Sequence, residues 1–262
     1  MVQSQHMLRF LPAVAALAIA APALAQGIKF DGPKFNARQI AEDMARLKIS
    51  KSDLDTMFGP MEGVTRWPNG KATVNLTIGQ GFDEGCGKKL DEQLTASIAE
   101  LHRRSGTRFE RTTADKADAI IEISDVPLQD KYYKAATLKP GAAIAYKAPR
   151  NTSAVRWDMA TVWNPKTYEM LAGWAYEGIY FTANRTRPGM TVTCAPFPMT
   201  WWLVHISKPH DRPLLNFMIP RDFSFADAQL YDIMNFTIMN SDGVKNGMPG
   251  KELVEALKAA LP

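Results

Sequence analysis

The chain has 262 residues, 46% of them hydrophobic and 22% charged, with 17 glycines and 17 prolines. That composition excludes the disordered, collagen-like and disulfide-scaffold classes and suits one large domain, alone or with a small appendage. A net charge of +4, spread over this length, is too weak to mark a nucleic-acid binder.

From Leu8 to Ala25 the chain reads LRFLPAVAALAIAAPALA. Arg9 supplies positive charge, Leu11 to Ala21 is an apolar stretch of signal-peptide length, and Ala23-Leu24-Ala25 is a small-x-small cleavage site. The stretch is too short, and too broken by Pro12 and Pro22, to span a bilayer. Residues 1–25 are therefore expected to be a cleaved signal peptide, starting at Met1 or Met7. No cysteine follows the cleavage site to carry a lipid, and no later run is long enough to cross a membrane. The expected product is periplasmic or secreted, not an integral membrane protein, and its export argues against a nucleic-acid partner.

Export sets how Cys86 and Cys194, the two cysteines of the chain, are read. In an oxidising compartment such a pair forms one structural disulfide, worth about 4–5 kcal/mol in the chain-entropy model for a loop of this length. Two free buried thiols are the alternative.

Residues 26–62 are expected to form a helical segment. Asn36 with Gln39 resembles a capping box, and Ile40, Met44 and Leu47 recur at helical spacing. A second short turn runs from Ser52 to Phe58 and ends at Gly59-Pro60. The segment's apolar stripe is expected to pack on the main domain, residues 63–262. There, Ala72, Val74, Leu76 and Ile78 alternate with polar residues as in a half-buried strand. The glycine-rich bend Gly79–Gly87 lacks the G-K-[ST] ending of a phosphate loop. A helix is predicted over about 88–104, with Leu90, Leu94, Ile98 and Leu101 on one face. Thr107–Arg111 and Ala119–Ser124 read as strands, which gives strand–helix–strand and its crossover.

Arg156–Trp163 and Tyr168–Tyr180, joined by Asn164-Pro165-Lys166-Thr167, predict an antiparallel hairpin. Thr191–Ser207 is an apolar aromatic segment. Ser224 with Asp227 caps a helix carrying Ala226, Leu230 and Ile233, and Pro249 opens a last one carrying Leu253, Leu257 and Leu261. Sheet first and helices last predicts an α+β fold.

Chemistry is sparse. No G-x-S-x-G, H-E-x-x-H, Walker A or G-x-G-x-x-G motif is present. Beyond the leader the histidines are His102, His205 and His210. His205 and His210, with Asp211 beside the latter, are the candidate catalytic residues of an exported hydrolase. Pro209 keeps one helix from presenting both rings, and zinc ligands on a helix come at i, i+4, so neither a metal nor a cofactor is expected. Glu122 and Asp125 are a pair of acids that could serve acid–base work if they converged. The six tryptophans lie between Trp67 and Trp202. They fill core positions or, as exposed coplanar rings from Trp157, Trp163 or Trp174, form a glycan-binding face. Arg103, Arg104, Arg108 and Arg111, interleaved with Glu100 and Glu110, read as a mixed-charge surface.

One resemblance runs through the C-terminal part. Cys194 precedes an apolar helix-like segment; then come Leu215-Asn216-Phe217, a helix around Asp227-Ala228-Gln229-Leu230-Tyr231-Asp232, and Gly247-Met248 before the final helix. This order resembles a family of exported bacterial proteins with a zincin-like, metzincin-type fold. In that family a Cys is followed by a His-Glu pair opening the active-site helix, and a D-x-x-L-L-x-x-L-Y-D segment and a Gly-Met pair come later. Here Cys194 is followed by Ala195-Pro196-Phe197-Pro198-Met199-Thr200, without the imidazoles and carboxylate that hold zinc and activate water. The resemblance therefore implies the scaffold, a mixed sheet with a crossover helix and a C-terminal helical part, without the catalytic metal. The expected function is a non-catalytic binding or structural role, with a cell-envelope glycan or protein as partner. The alternatives are the hydrolase and the glycan-binding module.

Overall fold

The computed structural model describes residues 33–79, 84–124, 142–147, 155–179, 198–208 and 224–262. The leader, Cys194, His210, Asp211 and Asp125 lie outside them.

Two helices come first, α1 (Ala37–Arg46) and α2 (Asp53–Phe58). The cap is the one expected: the Asn36 side chain accepts from the Gln39 backbone N–H at 3.4 Å. Ile40, Met44 and Leu47 are buried, but the surface they meet was not foreseen. Together with Leu54, Met57 and Phe58 they join a core with residues from the two C-terminal helices, α5 (Phe225–Met239) and α6 (Gly250–Ala260). Residues 33–62 thus belong to the same compact unit as the rest of the described chain. The Arg104 guanidinium reinforces the join, meeting Asp43 at 2.7 Å and Glu100 at 2.6 Å. Arg103 also pairs with Glu100 and Arg111 with Asp91, so three of the four arginines of the cluster are matched by acids.

The sheet has six strands: β1 (Lys71–Ile78), β2 (Arg108–Arg111), β3 (Ala119–Ser124), β4 (Ala143–Lys147), β5 (Val155–Asn164) and β6 (Glu169–Ile179). Their order is β2-β1-β3-β6-β5-β4. The first four in that order are parallel, whereas β5 runs antiparallel to both β6 and β4. Helices and a mixed sheet make the class α+β. Strands β1, β2, β3 and the β5–β6 hairpin fall where the sequence placed them, β1 by its alternation, and β4 was not anticipated. The crossover helix α3 (Glu84–Ser105) begins four residues before the expected Lys88, running through Gly85 and Gly87. Both glycines lie within its first four residues, and a Cβ at Gly87 would make an ordinary contact with the Ile78 Cδ1, at 3.5 Å. Of the aromatic segment expected over 191–207, the described residues 198–207 hold the short helix α4 (Met199–His205).

One face of the sheet carries the main core. Val74, Phe109, Ile121, Ile123, Met159, Trp163 and Ala175 from the strands meet Leu90, Leu94 and Leu101 of α3. Met199, Trp202, Leu203 and Val204 of α4 complete it. Thr200 donates to Ser97 at 2.7 Å, tying α4 to α3. At its other end, α4 rests on β6 at Gly173, where an added Cβ would lie 2.3 Å from the Ile206 carbonyl oxygen.

The hairpin turn is clamped from outside. Asn164 Oδ1 accepts from the Lys166 N–H at 2.9 Å, and Tyr168 turns left-handed at φ 55°. The Tyr168 ring lies over two glycines: a Cβ at Gly63 would come within 2.7 Å of it and one at Gly247 within 3.3 Å. Gly247 has φ 77° and donates to the Val64 carbonyl, while Met248 accepts from the Val64 N–H, both at 2.9 Å. The Gly-Met pair therefore has a packing role in this chain: it splices the C-terminal loop to the strand entering the sheet.

Candidate functional site

The site grows from the C-terminal end of α4. Helix α4 is apolar nearly all round because it is sandwiched between α3, the sheet and α5, and such a helix is expected to be hydrophobic on every side. Besides Thr200, the polar residue is its last, His205, which is 3% exposed. A buried imidazole needs partners for its ring nitrogens. His205 Nε2 lies 2.9 Å from Asp232 Oδ2, on α5. Three residues on, Lys208 Nζ donates to Asp232 Oδ1 at 3.2 Å. Asp232 and Lys208 are both buried, so a single carboxylate divides its two oxygens between an imidazole and an ammonium, away from water.

Neighbours fix each member. The Trp201 ring lies against the His205 imidazole, centroids 4.1 Å apart and tilted by 38°. The Trp67 indole N–H, 1% exposed and preceding β1, donates to Ser207 Oγ at 2.8 Å. Ser207 in turn donates to the Leu203 carbonyl at 2.6 Å. The turn from His205 to Lys208 is thus pinned from the sheet side, and α5 presents Asp232 to it.

The electrostatics follow from burial against pairing. Burial pushes the Asp232 carboxyl up, but the charge of Lys208, that of His205 and the two hydrogen bonds outweigh it and hold the group well below the usual carboxylate range. Burial lowers the Lys208 ammonium, and the attraction of Asp232 offsets only part of that. Next to Asp232, burial pushes the Tyr231 phenol up; a hydrogen bond with Asn235 opposes this and the Asp232 charge adds to it. Asp232 therefore anchors the cluster as its carboxylate, and Lys208 is the member held least comfortably.

Of the candidates read from the sequence, the structure places His205 in the core, bonded to Asp232, rather than on a cleft wall. His210 and Asp211 lie outside the described residues, so no described geometry joins them to His205. His102 is exposed at the end of α3, its Nδ1 3.3 Å from the carbonyl oxygens of Gly106 and Thr107. Among the described residues no three His, Cys, Asp or Glu side chains are grouped so as to hold a metal ion. Trp163 and Trp174 are buried, so these two rings form no exposed platform; the Trp157 side chain lies outside what is described. Cys86 is buried at the start of α3, and no cysteine among the described residues is free.

Sequence reading missed Lys208 and Asp232. The available signal was Asp232 itself, the one acid in the mostly apolar run LYDIMNFTIM, where an inward carboxylate must find a cation or donors.

No described helix is long and apolar enough to cross a membrane. No family model, curated protein or solved structure matches the chain.

Proposed function

We propose that the protein is exported, acts by binding rather than by catalysis, and does so on a zincin-like scaffold that has given up its metal. The observation that carries this reading is the use made of His205. It is the only histidine of α4, the helix that follows Cys194 as the family's active-site helix does. Its ring lies against Trp201 and is bonded to Asp232, which also bonds Lys208. An imidazole so placed is occupied structurally, and an ammonium beside it opposes binding of a second cation. The strand–crossover–strand unit, the mixed sheet and the C-terminal helices support the scaffold. The hydrolase reading required His205 to share an open cleft with His210 and Asp211, and burial of His205 removes its motivation.

On this reading the protein works in the periplasm or outside the cell after removal of residues 1–25, with a cell-envelope glycan or protein as its partner. Cys86 pairs with Cys194, fastening the start of α3 to the segment that leads into α4. Elemental analysis of protein purified without chelator tests the central part. Substoichiometric zinc, lost on simple dialysis, is the expected result. One tightly held equivalent overturns the proposal.

A further inference from the structure

The face of the sheet opposite the main core carries one group that its surroundings leave unexplained. Glu122, in the middle of β3, stands in register with Thr77 of β1 and Tyr176 of β6. It is 0% exposed, and neither carboxyl oxygen meets a hydrogen-bond partner at normal geometry. Its surroundings are apolar and aromatic. Ile120, Ala160, Trp174 and Tyr176 form a small core on this face, with the Trp174 and Tyr176 rings stacked at 6.1 Å and 15°. The Trp174 indole is the polar group that acts on it; a buried carboxyl so poorly satisfied calls for a specific account, and one so enclosed is tolerated only when neutral.

Charges on the described part of this face do not compensate it. Asp118 spends its carboxylate on the Thr73 N–H and hydroxyl, at 2.8 and 2.7 Å. Glu110 stands opposite Thr73 and Asp158 opposite Tyr176, and both are acids. Of the cations, Lys71 and Arg108 stand opposite each other at the far edge, Lys71 six residues along β1 from Thr77, about 20 Å at the rise of a strand. Arg156 stands opposite Gly178, two residues along β5 from Asp158, and its side chain lies outside what is described.

We propose that Glu122 is a proton-operated latch: with its carboxyl neutral this face stays closed over it, and loss of the proton opens the face to water. Burial, opposed only by the Trp174 indole, pushes the group up to about 7 from an ordinary 4.5. The sign follows from linkage. Below the ordinary value both closed and open forms hold the proton. As pH rises above that value the open form ionises first, and the closed form is progressively disfavoured until it too loses the proton near neutrality.

Amide hydrogen exchange of Ile120–Ile123 and Gly173–Tyr176, corrected for the intrinsic pH dependence of exchange, reads the opening directly. Between about pH 5.5 and about pH 8.5 the wild-type protein is expected to lose roughly thirtyfold of its protection there, while Glu122→Gln, the neutral isostere, stays flat. Flat protection in the wild type, an equal loss in Glu122→Gln, or a Glu122→Gln protein that fails to fold each overturns the proposal. A direct carboxyl-carbon titration of Glu122 in the wild type is the second measurement. A midpoint near neutrality supports the latch, and one in the ordinary carboxylate range refutes it. Neither outcome bears on the metal-free reading of α4.

Discussion

Asp232→Ala is expected to destabilise the protein by about 3–5 kcal/mol, because it leaves a buried ammonium and a buried imidazole without their shared carboxylate. Lys208→Met should cost clearly less. Asp232 keeps its bond to His205 in that variant, and the group removed is the one that burial already disfavours. Urea unfolding at neutral pH gives both values. The order, with the aspartate variant much the weaker, distinguishes an ion cluster organised around Asp232 from a set of incidental contacts. Equal losses, or a tolerated Asp232→Ala, would mean that the cluster is not held as described.

Gly173→Ala should cost about 3 kcal/mol or more, for a different reason. The added methyl would sit 2.3 Å from a backbone carbonyl, that of Ile206, and 3.0 Å from the Ile206 Cβ. Neither can swing aside as a flexible side chain would. The end of α4 must lift from β6, taking with it the turn that carries His205, Ser207 and Lys208. Gly106 is the control. It ends α3 at φ 77°, and a methyl added there would have nothing within 4 Å of it, so alanine carries only the backbone strain, about 1 kcal/mol. A denaturation series in which the two variants were equally stable would show that α4 does not approach the sheet so closely.

How much of this could be read beforehand depended on the range of the forces involved. Caps are local: Asn36–Gln39 and the Ser224–Asp227 box were legible because donor and acceptor lie three residues apart. Period-two alternation likewise exposed β1, the short apolar run AIIEIS exposed β3, and Trp- and Val-rich stretches about the Asn-Pro turn exposed the β5–β6 hairpin. Strand β4 was missed because five residues, AIAYK, show too little alternation to stand out, and it is held by pairing with β5. Helix α4 was legible only as a helix-like apolar segment after Cys194, without bounds, because a helix apolar on most sides lacks the periodicity that reveals an amphipathic one.

The site was half legible. His205 drew notice because histidines are few. Its partner lies 27 residues away on another helix, and an ion pair at that separation is a product of packing. Glu122 was noticed as an acid but paired with Asp125 as a chemical couple. Its significance comes from being a charge in AIIEIS, a run destined for the middle of a sheet, and that position becomes known only when strands have been found on both sides of β3.

The account rests most directly on the state of the His205 ring, which nitrogen-15 NMR of the imidazole reports. With one equivalent of zinc added near neutral pH, the ring resonances are expected to stay where they were, still coupled through the bond to Asp232. A stoichiometric, slow-exchange shift of those resonances to metal-bound values would contradict the account, because it would mean that the imidazole is free to serve a cation after all.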